Sequence, residues 1–405
     1  MYKRQSYLRS PLSEPEDPPR CGLRIAGGSC ATRPRPPGTS AACWGRGDEA
    51  SFWKRHAYAW DIACSECWTT DKGDPCNELL GGPDPEKGRM VKERLQAEKA
   101  SALGRTVIAV SPRFYVVTNL HDKVKIKTRR GGLRLASAHE IAHVFLQRCE
   151  LAYDDFVKWF GGPVVLPKPM AVYIVNRKHE LSTVSDRYFG GNDIHMNYAF
   201  NYGDRIAQGF SGTGFVVALE EQNTDRKLHG YVRHMVGHIL FSCWIETNGF
   251  EDHCPRWAWI GAAHFLMKLL PPQKDYACYC YGESAGGTGS AKRWPKRVRD
   301  MARRPLPPIE TFFNKNSLSD FESKDHLRAW SMMDLGLRED RTRWLELLRV
   351  LRGGGDEGVA FKSALGITPE QYHERWVERV TGKRRSMGPE RRDDGQTDPD
   401  WIAMD

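Results

Sequence analysis

His234-Met235-Val236-Gly237-His238 (HMVGH), followed by PRWAWIGAAHFL over residues 255–266, is the part of the chain whose reading decides the fold. Two imidazoles four residues apart share one face of a helix. Residues 234–245 are almost wholly apolar, the composition of a helix buried all round. Histidines in such a helix need hydrogen-bond partners or a metal, because an unsatisfied buried polar group is costly. The second segment predicts another buried helix over roughly 256–269. In it Ile260 and His264 share a face one turn apart.

These residues resemble the gluzincin-type, peptidase-MA-like family. Such zinc peptidases place HExxH on one helix and a glutamate ligand on the next, in a stretch like P-x-W-x-x-E-G-x-A. The histidines hold zinc and the first glutamate is the general base for a bound water. His234, Gly237, His238, Pro255, Trp257, Gly261 and Ala263 match that pattern. The base position is Met235 and the third-ligand position is Ile260, and neither side chain replaces a carboxylate. The resemblance therefore implies metal ligands at His234 and His238 and does not carry peptide hydrolysis with it. His264 completes a chemically reasonable three-histidine zinc set. Tyr231, Glu220 and Glu221 are candidates to assist a bound water, and His253 and Cys254 precede the second helix.

A rival site lies upstream. Residues 139–143 read His-Glu-Ile-Ala-His, a complete HExxH. Chance gives this in about one such chain in fifty. It offers His139 and His143 as ligands and Glu140 as the base of an active zinc metallopeptidase. Against it, the helical projection puts both histidines on a polar face with Gln147, Glu150 and Asp154. Glu180 and Asp193, the acidic residues downstream, fall in or near expected loops. The expectation is an exposed His-Glu-His face on a backing helix.

The order of elements supports the first reading. TVIAV and FYVVTNL read as strands. An amphipathic helix over 135–160 follows, ended by Gly161-Gly162-Pro163. MAVYIV (170–175) and GFVVAL (214–219) are further strands, and the HMVGH helix spans about 226–245. The resemblance implies an α+β zincin-like domain, a twisted sheet with a backing helix and two site helices. A helical C-terminal subdomain follows, in which Thr368 caps a helix that opens with Pro369. AFKSALGITPEQYHERW resembles the C-terminal part of bacterial peptidase-MA-like proteins. The expected layout is 1–50 disordered or artefactual, 51–104 a cysteine-containing segment with a polar helix near 84–103, 105–272 the zincin-like domain, 273–382 the helical subdomain, and 383–405 a disordered charged tail. The opening MYKRQ resembles a translated transposon-end adapter, so the genuine start is expected to differ.

Composition narrows the remaining classes. The net charge of +9 is modest for 405 residues. Its basic runs, 292–304 and 383–392, read as solvated loop or tail, so no nucleic-acid partner is expected. The absence of a run of 18 apolar residues excludes a helical membrane span. Eleven cysteines favour an extracytoplasmic or cell-envelope location. Cys64, Cys67 and Cys76 read as a disulfide staple or free thiols; Trp68 breaks the haem pattern and a zinc knuckle lacks its second pair. The expected function is a pseudopeptidase, a binding or scaffold protein with a degenerate zinc site. The expected partner is an extended peptide or protein in the former substrate cleft, walled by Trp244, Trp257 and Trp259.

Overall fold

The computed structural model describes residues 63–64, 103, 106–120, 124–127, 133–166, 169–177, 179–188, 194–195, 198–201, 206–207, 210–211, 214–219, 225–245, 255–269, 291–316, 320–352 and 355–382. The expectations for residues 1–50, 84–102 and 383–405, for the pairing of Cys64, Cys67 and Cys76, and for Asp193, Glu220, Glu221, His253 and Cys254 lie outside them. The described residues all belong to one compact unit.

The architecture is α+β. The strands in chain order are β1 (Ala63–Cys64), β2 (Val107–Val110), β3 (Phe114–Thr118), β4 (Val124–Lys127), β5 (Leu133–Ala136), β6 (Met170–Val175), β7 (Ile194–His195), β8 (Tyr198–Asn201), β9 (Ile206–Ala207), β10 (Phe210–Ser211) and β11 (Gly214–Ala218). The helices are α1 (Ala138–Phe160), α2 (His179–Tyr188), α3 (Asp225–Trp244), α4 (Arg256–Lys268), α5 (Trp294–Ala302), α6 (Ile309–Phe313), α7 (Ser323–Glu339), α8 (Arg341–Leu351), α9 (Glu357–Leu365) and α10 (Pro369–Thr381).

Seven strands form a mixed sheet in the order β1-β2-β3-β6-β11-β8-β7. The parallel pairs are β3–β6 and β6–β11, and the flanking pairs are antiparallel. MAVYIV and GFVVA are buried at every position, as continuous apolar runs in the middle of a two-sided sheet should be. Side chains alternate between faces. Ile108, Val117, Tyr173 and Val216 pack with Leu181 and Val184 of α2 in one cluster. The intervening residues, such as Val116, Val172 and Phe215, are left for the helices of the other face. There α1 lies on β2 and β3, and α3 lies on β11.

Local signals explain the boundaries. Helix α1 starts at Ala138 instead of 135, because residues 133–136 pair with β4 as a hairpin. Ser137 then caps the helix, accepting from the Glu140 backbone while the Glu140 carboxylate accepts from Ser137 N. Thr368 caps α10 in the same way with Gln371, and Pro369 is its first residue. The basic run 292–304, expected as a loop, forms α5. Its Trp294, Val298 and Ala302 recur every fourth residue and are buried, leaving the arginines and lysines on the outer turns. No helix among the described residues is long and apolar enough to cross a membrane.

Candidate functional site

The two HMVGH histidines lie side by side on α3, deeply buried. Their Nε2 atoms are 2.9 Å apart, so one ring donates and the other accepts. His264, from α4, has its ring centroid 4.7 Å from that of His234. His264 Nε2 in turn meets Nδ1 of His326, from α7, at 3.0 Å. Four buried imidazoles thus form a continuous row, His238-His234-His264-His326, across three helices. Aromatic rings enclose the row. Trp259 stacks on His238 at 3.5 Å, and Trp294 meets His264 edge-on at 5.2 Å. Trp259 is held in place by donating Nε1–H to Ser242 Oγ, which itself donates to the His238 carbonyl.

The sequence grouped His234, His238 and His264, and the structure brings them together. It missed His326. The available signal was a histidine in the apolar helical stretch HLRAWSMMDLGL, which needs a buried partner just as the HMVGH pair does. That its partner is His264 is a long-range pairing that local pattern does not contain.

Glycines set how tightly the three helices close. A Cβ on Gly237 would sit 3.0 Å from Cα of Ala263, and one on Gly261 would sit 2.6 Å from the Ala329 carbonyl oxygen. Helix α4 is therefore in backbone contact with α3 on one side and α7 on the other. Met235 and Ile260 are fully buried. The expected open cleft at the histidines is corrected accordingly: these four imidazoles are at most 2% exposed, closed over by α7. Of the three tryptophans expected to wall a cleft, only Trp259 touches the row. Trp257 packs on Phe313 and Trp344, and Trp244 packs on Phe160 and Phe241. Strand β11 is interior to the sheet, flanked by β6 and β8. Tyr231 is buried one turn before His234.

The chemistry of the donors decides what the row can hold. Two imidazoles on one tetrahedral zinc present nitrogens about 3.3 Å apart, given Zn–N bonds of about 2.0–2.1 Å. The His234–His238 spacing is close to that. Ile260 is apolar and offers no ligand, and His264 directs Nε2 at His326. Among the described residues no three metal-ligating side chains converge as they stand. Met235, beside His234, offers no general base, so as they stand these residues do not fit a catalytic zinc, and no hydrolytic step through one follows.

The HEIAH segment is placed differently from expectation. His143 and Glu140 are buried, not exposed, and only His139 is half-open. Burial, with His139 beside it, holds the His143 imidazole well below its ordinary pKa. The His139 and His143 rings meet edge-on at 4.7 Å. The Glu140 carboxylate is engaged in the capping box at the helix start. Glu150, read as part of a polar surface, is also buried. It accepts from Ser111 Oγ at 2.5 Å and Arg113 Nη1 at 2.6 Å, tying α1 to the β2–β3 turn. Glu180, expected in a loop, lies in the first turn of α2, where its carboxylate accepts from Arg177 N and Asn119 Nδ2. Of the two downstream carboxylates weighed for HEIAH, Glu180 is thus committed elsewhere, and Asp193 lies outside the described residues.

Cys149 and Cys243 are free thiols. Comparison with protein-family models and with curated protein sequences returns no match for this chain.

Proposed function

We propose that the chain is a gluzincin-type pseudopeptidase, a zincin-like α+β scaffold that acts by binding and not by hydrolysis. The observation that carries this reading is the buried row His238-His234-His264-His326. It holds two histidines one turn apart on one helix, and Met235 and Ile260 stand where the resemblance to the family would place its two carboxylates. General-base catalysis contributes about 10² to 10⁴-fold, so the loss of the base alone removes most turnover. Zinc held by His234 and His238 would be a structural link within α3 and not a source of nucleophilic water. We infer that the partner is an extended peptide or protein segment. It would not enter the closed histidine row, since strand addition needs a sheet edge. A cell-envelope location completes the proposal, supported by the eleven cysteines.

The test is hydrolysis of a mixed peptide library by the purified full chain supplied with zinc, alongside Glu140→Gln. No turnover above blank in either protein is expected. Cleavage by the wild type that Glu140→Gln abolishes, with the fold unchanged by circular dichroism, would establish the HEIAH metallopeptidase instead.

A further inference from the structure

The helical part of the chain holds a cavity of about 470 Å³ between α5, the turn after it, α6 and the start of α7. Five cationic side chains and two carboxylates line it. The acids do not neutralise the cations evenly. The Asp325 carboxylate is taken by Lys315 Nζ at 2.5 Å and by the Glu322 N–H at 2.9 Å. Lys324 is paired at the surface with Glu322. Asp300 lies 3.9 Å from Arg303, which follows the end of its helix.

Arg328 is the group left over. Its side chain is only 3% exposed, yet it lines the cavity. The guanidinium lies 4.7 Å over the Phe312 ring and shares Nη2 with Nδ1 of His373. Its Nε has no hydrogen-bond partner and no carboxylate lies within ion-pair distance of it among the described residues, while the charges of Asp325 and Glu310 act on it from further off. Burial lowers its pKa to about 10, which leaves it cationic at neutral pH. The same burial, with Arg328 alongside, pushes His373 down to about 4, so the imidazole accepts from the guanidinium and adds no second charge. A buried cation with no carboxylate in direct contact is costly, and guanidinium has the fork geometry that matches an oxyanion. Arg304 stands exposed at the rim. Leu306, Met301, Leu327 and Phe312 supply an apolar wall beside these charges.

We propose that this cavity binds an amphipathic oxyanion, a carboxylate or phosphate monoester carrying an apolar chain, with Arg328 receiving the anionic head. The site is separate from the histidine row and does not depend on its reading. The test is calorimetric titration of the full chain with octanoate, octyl phosphate and neutral octanol. Saturable binding of one or both anions, and none of octanol, is expected; which anion is tighter identifies the head group. Arg328→Lys and the exposed Arg304→Ala should each weaken binding about tenfold or more, the cost of a lost charged hydrogen bond. Should Arg328→Lys fail to fold, Arg304→Ala decides. No saturable heat with either anion, octanol binding as tightly as octanoate, or undiminished affinity in Arg304→Ala would overturn the proposal.

Discussion

Gly261→Ala separates the closed site from an ordinary helix pair, because the two give opposite signs. In a helix interior alanine is better than glycine by about 1 kcal/mol, so α4 taken alone gains stability. The structure opposes this. The added Cβ would meet the Ala329 carbonyl oxygen at 2.6 Å, its carbon at 3.1 Å and Met333 Cβ at 3.2 Å. Two of these atoms belong to the backbone of α7, which yields only if the helix moves. Overpacking costs about 1–3 kcal/mol in packed cores and more where side chains cannot rearrange. With backbone atoms in the way the cost falls in the upper part of that range, and against the propensity gain the net is a destabilisation of about 1–2 kcal/mol, roughly 1–3 °C in melting temperature for a unit of this size. Thermal unfolding followed by far-ultraviolet circular dichroism, with a urea midpoint beside it, measures the change. A rise in both would mean that α4 and α7 do not touch along Gly261, and the closure of the histidine row would be refuted. Gly237→Ala is the companion: its Cβ meets Ala263 Cα at 3.0 Å and two Leu266 side-chain atoms at 3.3 and 3.4 Å, and a smaller loss is expected.

Three further outcomes follow from the buried groups. Acid should destabilise the fold below pH about 6.5. His143 and His373 have folded pKa values depressed by burial, so the unfolded chain binds more protons in that window and stability falls as pH drops. The urea midpoint should decrease from pH 7.5 towards 5, and His143→Gln should flatten the decrease; a midpoint independent of pH in the wild type contradicts this. Glu140→Gln should leave stability within about 0.5 kcal/mol, because glutamine serves equally at the third position of a capping box; Glu140→Ala should cost about 1 kcal/mol by urea titration. Burial pushes the Cys243 thiol up to about 11 and that of Cys149 higher still. Thiolate is the reactive form, so iodoacetamide in native buffer should leave the peptides carrying Cys149 and Cys243 unlabelled, and denaturant should expose both; rapid native labelling of Cys149 would contradict its burial.

Where the sequence was legible, the physics was local. MAVYIV announces a two-sided strand because six apolar residues in a row have no exposed face. Ser137-x-x-Glu140 and Thr368-Pro369 mark helix starts because caps act within one turn. The gathering of His234, His238 and His264 was legible from two helical periodicities. The illegible parts depend on what packs from far along the chain. His143, Glu140 and Glu150 lie on the polar side of α1 by projection, yet other elements bury them, which one helix's periodicity does not foretell. Strand β11 reads the same whether it ends a sheet or is flanked by β8. His326 and α7, which close the row, lie about 60 residues beyond His264. The basic run 292–304 was different: its charge obscured the period of Trp294, Val298 and Ala302, so that signal was present.

The most direct measurement is zinc content of the purified full chain, read together with peptide hydrolysis, for the wild type, His234→Ala and His139→Ala. The expected result is no hydrolysis in any of the three, with any zinc that co-purifies lost in His234→Ala and retained in His139→Ala. Zinc near one equivalent that disappears only in His139→Ala, together with the wild type's hydrolytic activity, would contradict the pseudopeptidase and move the metal to HEIAH.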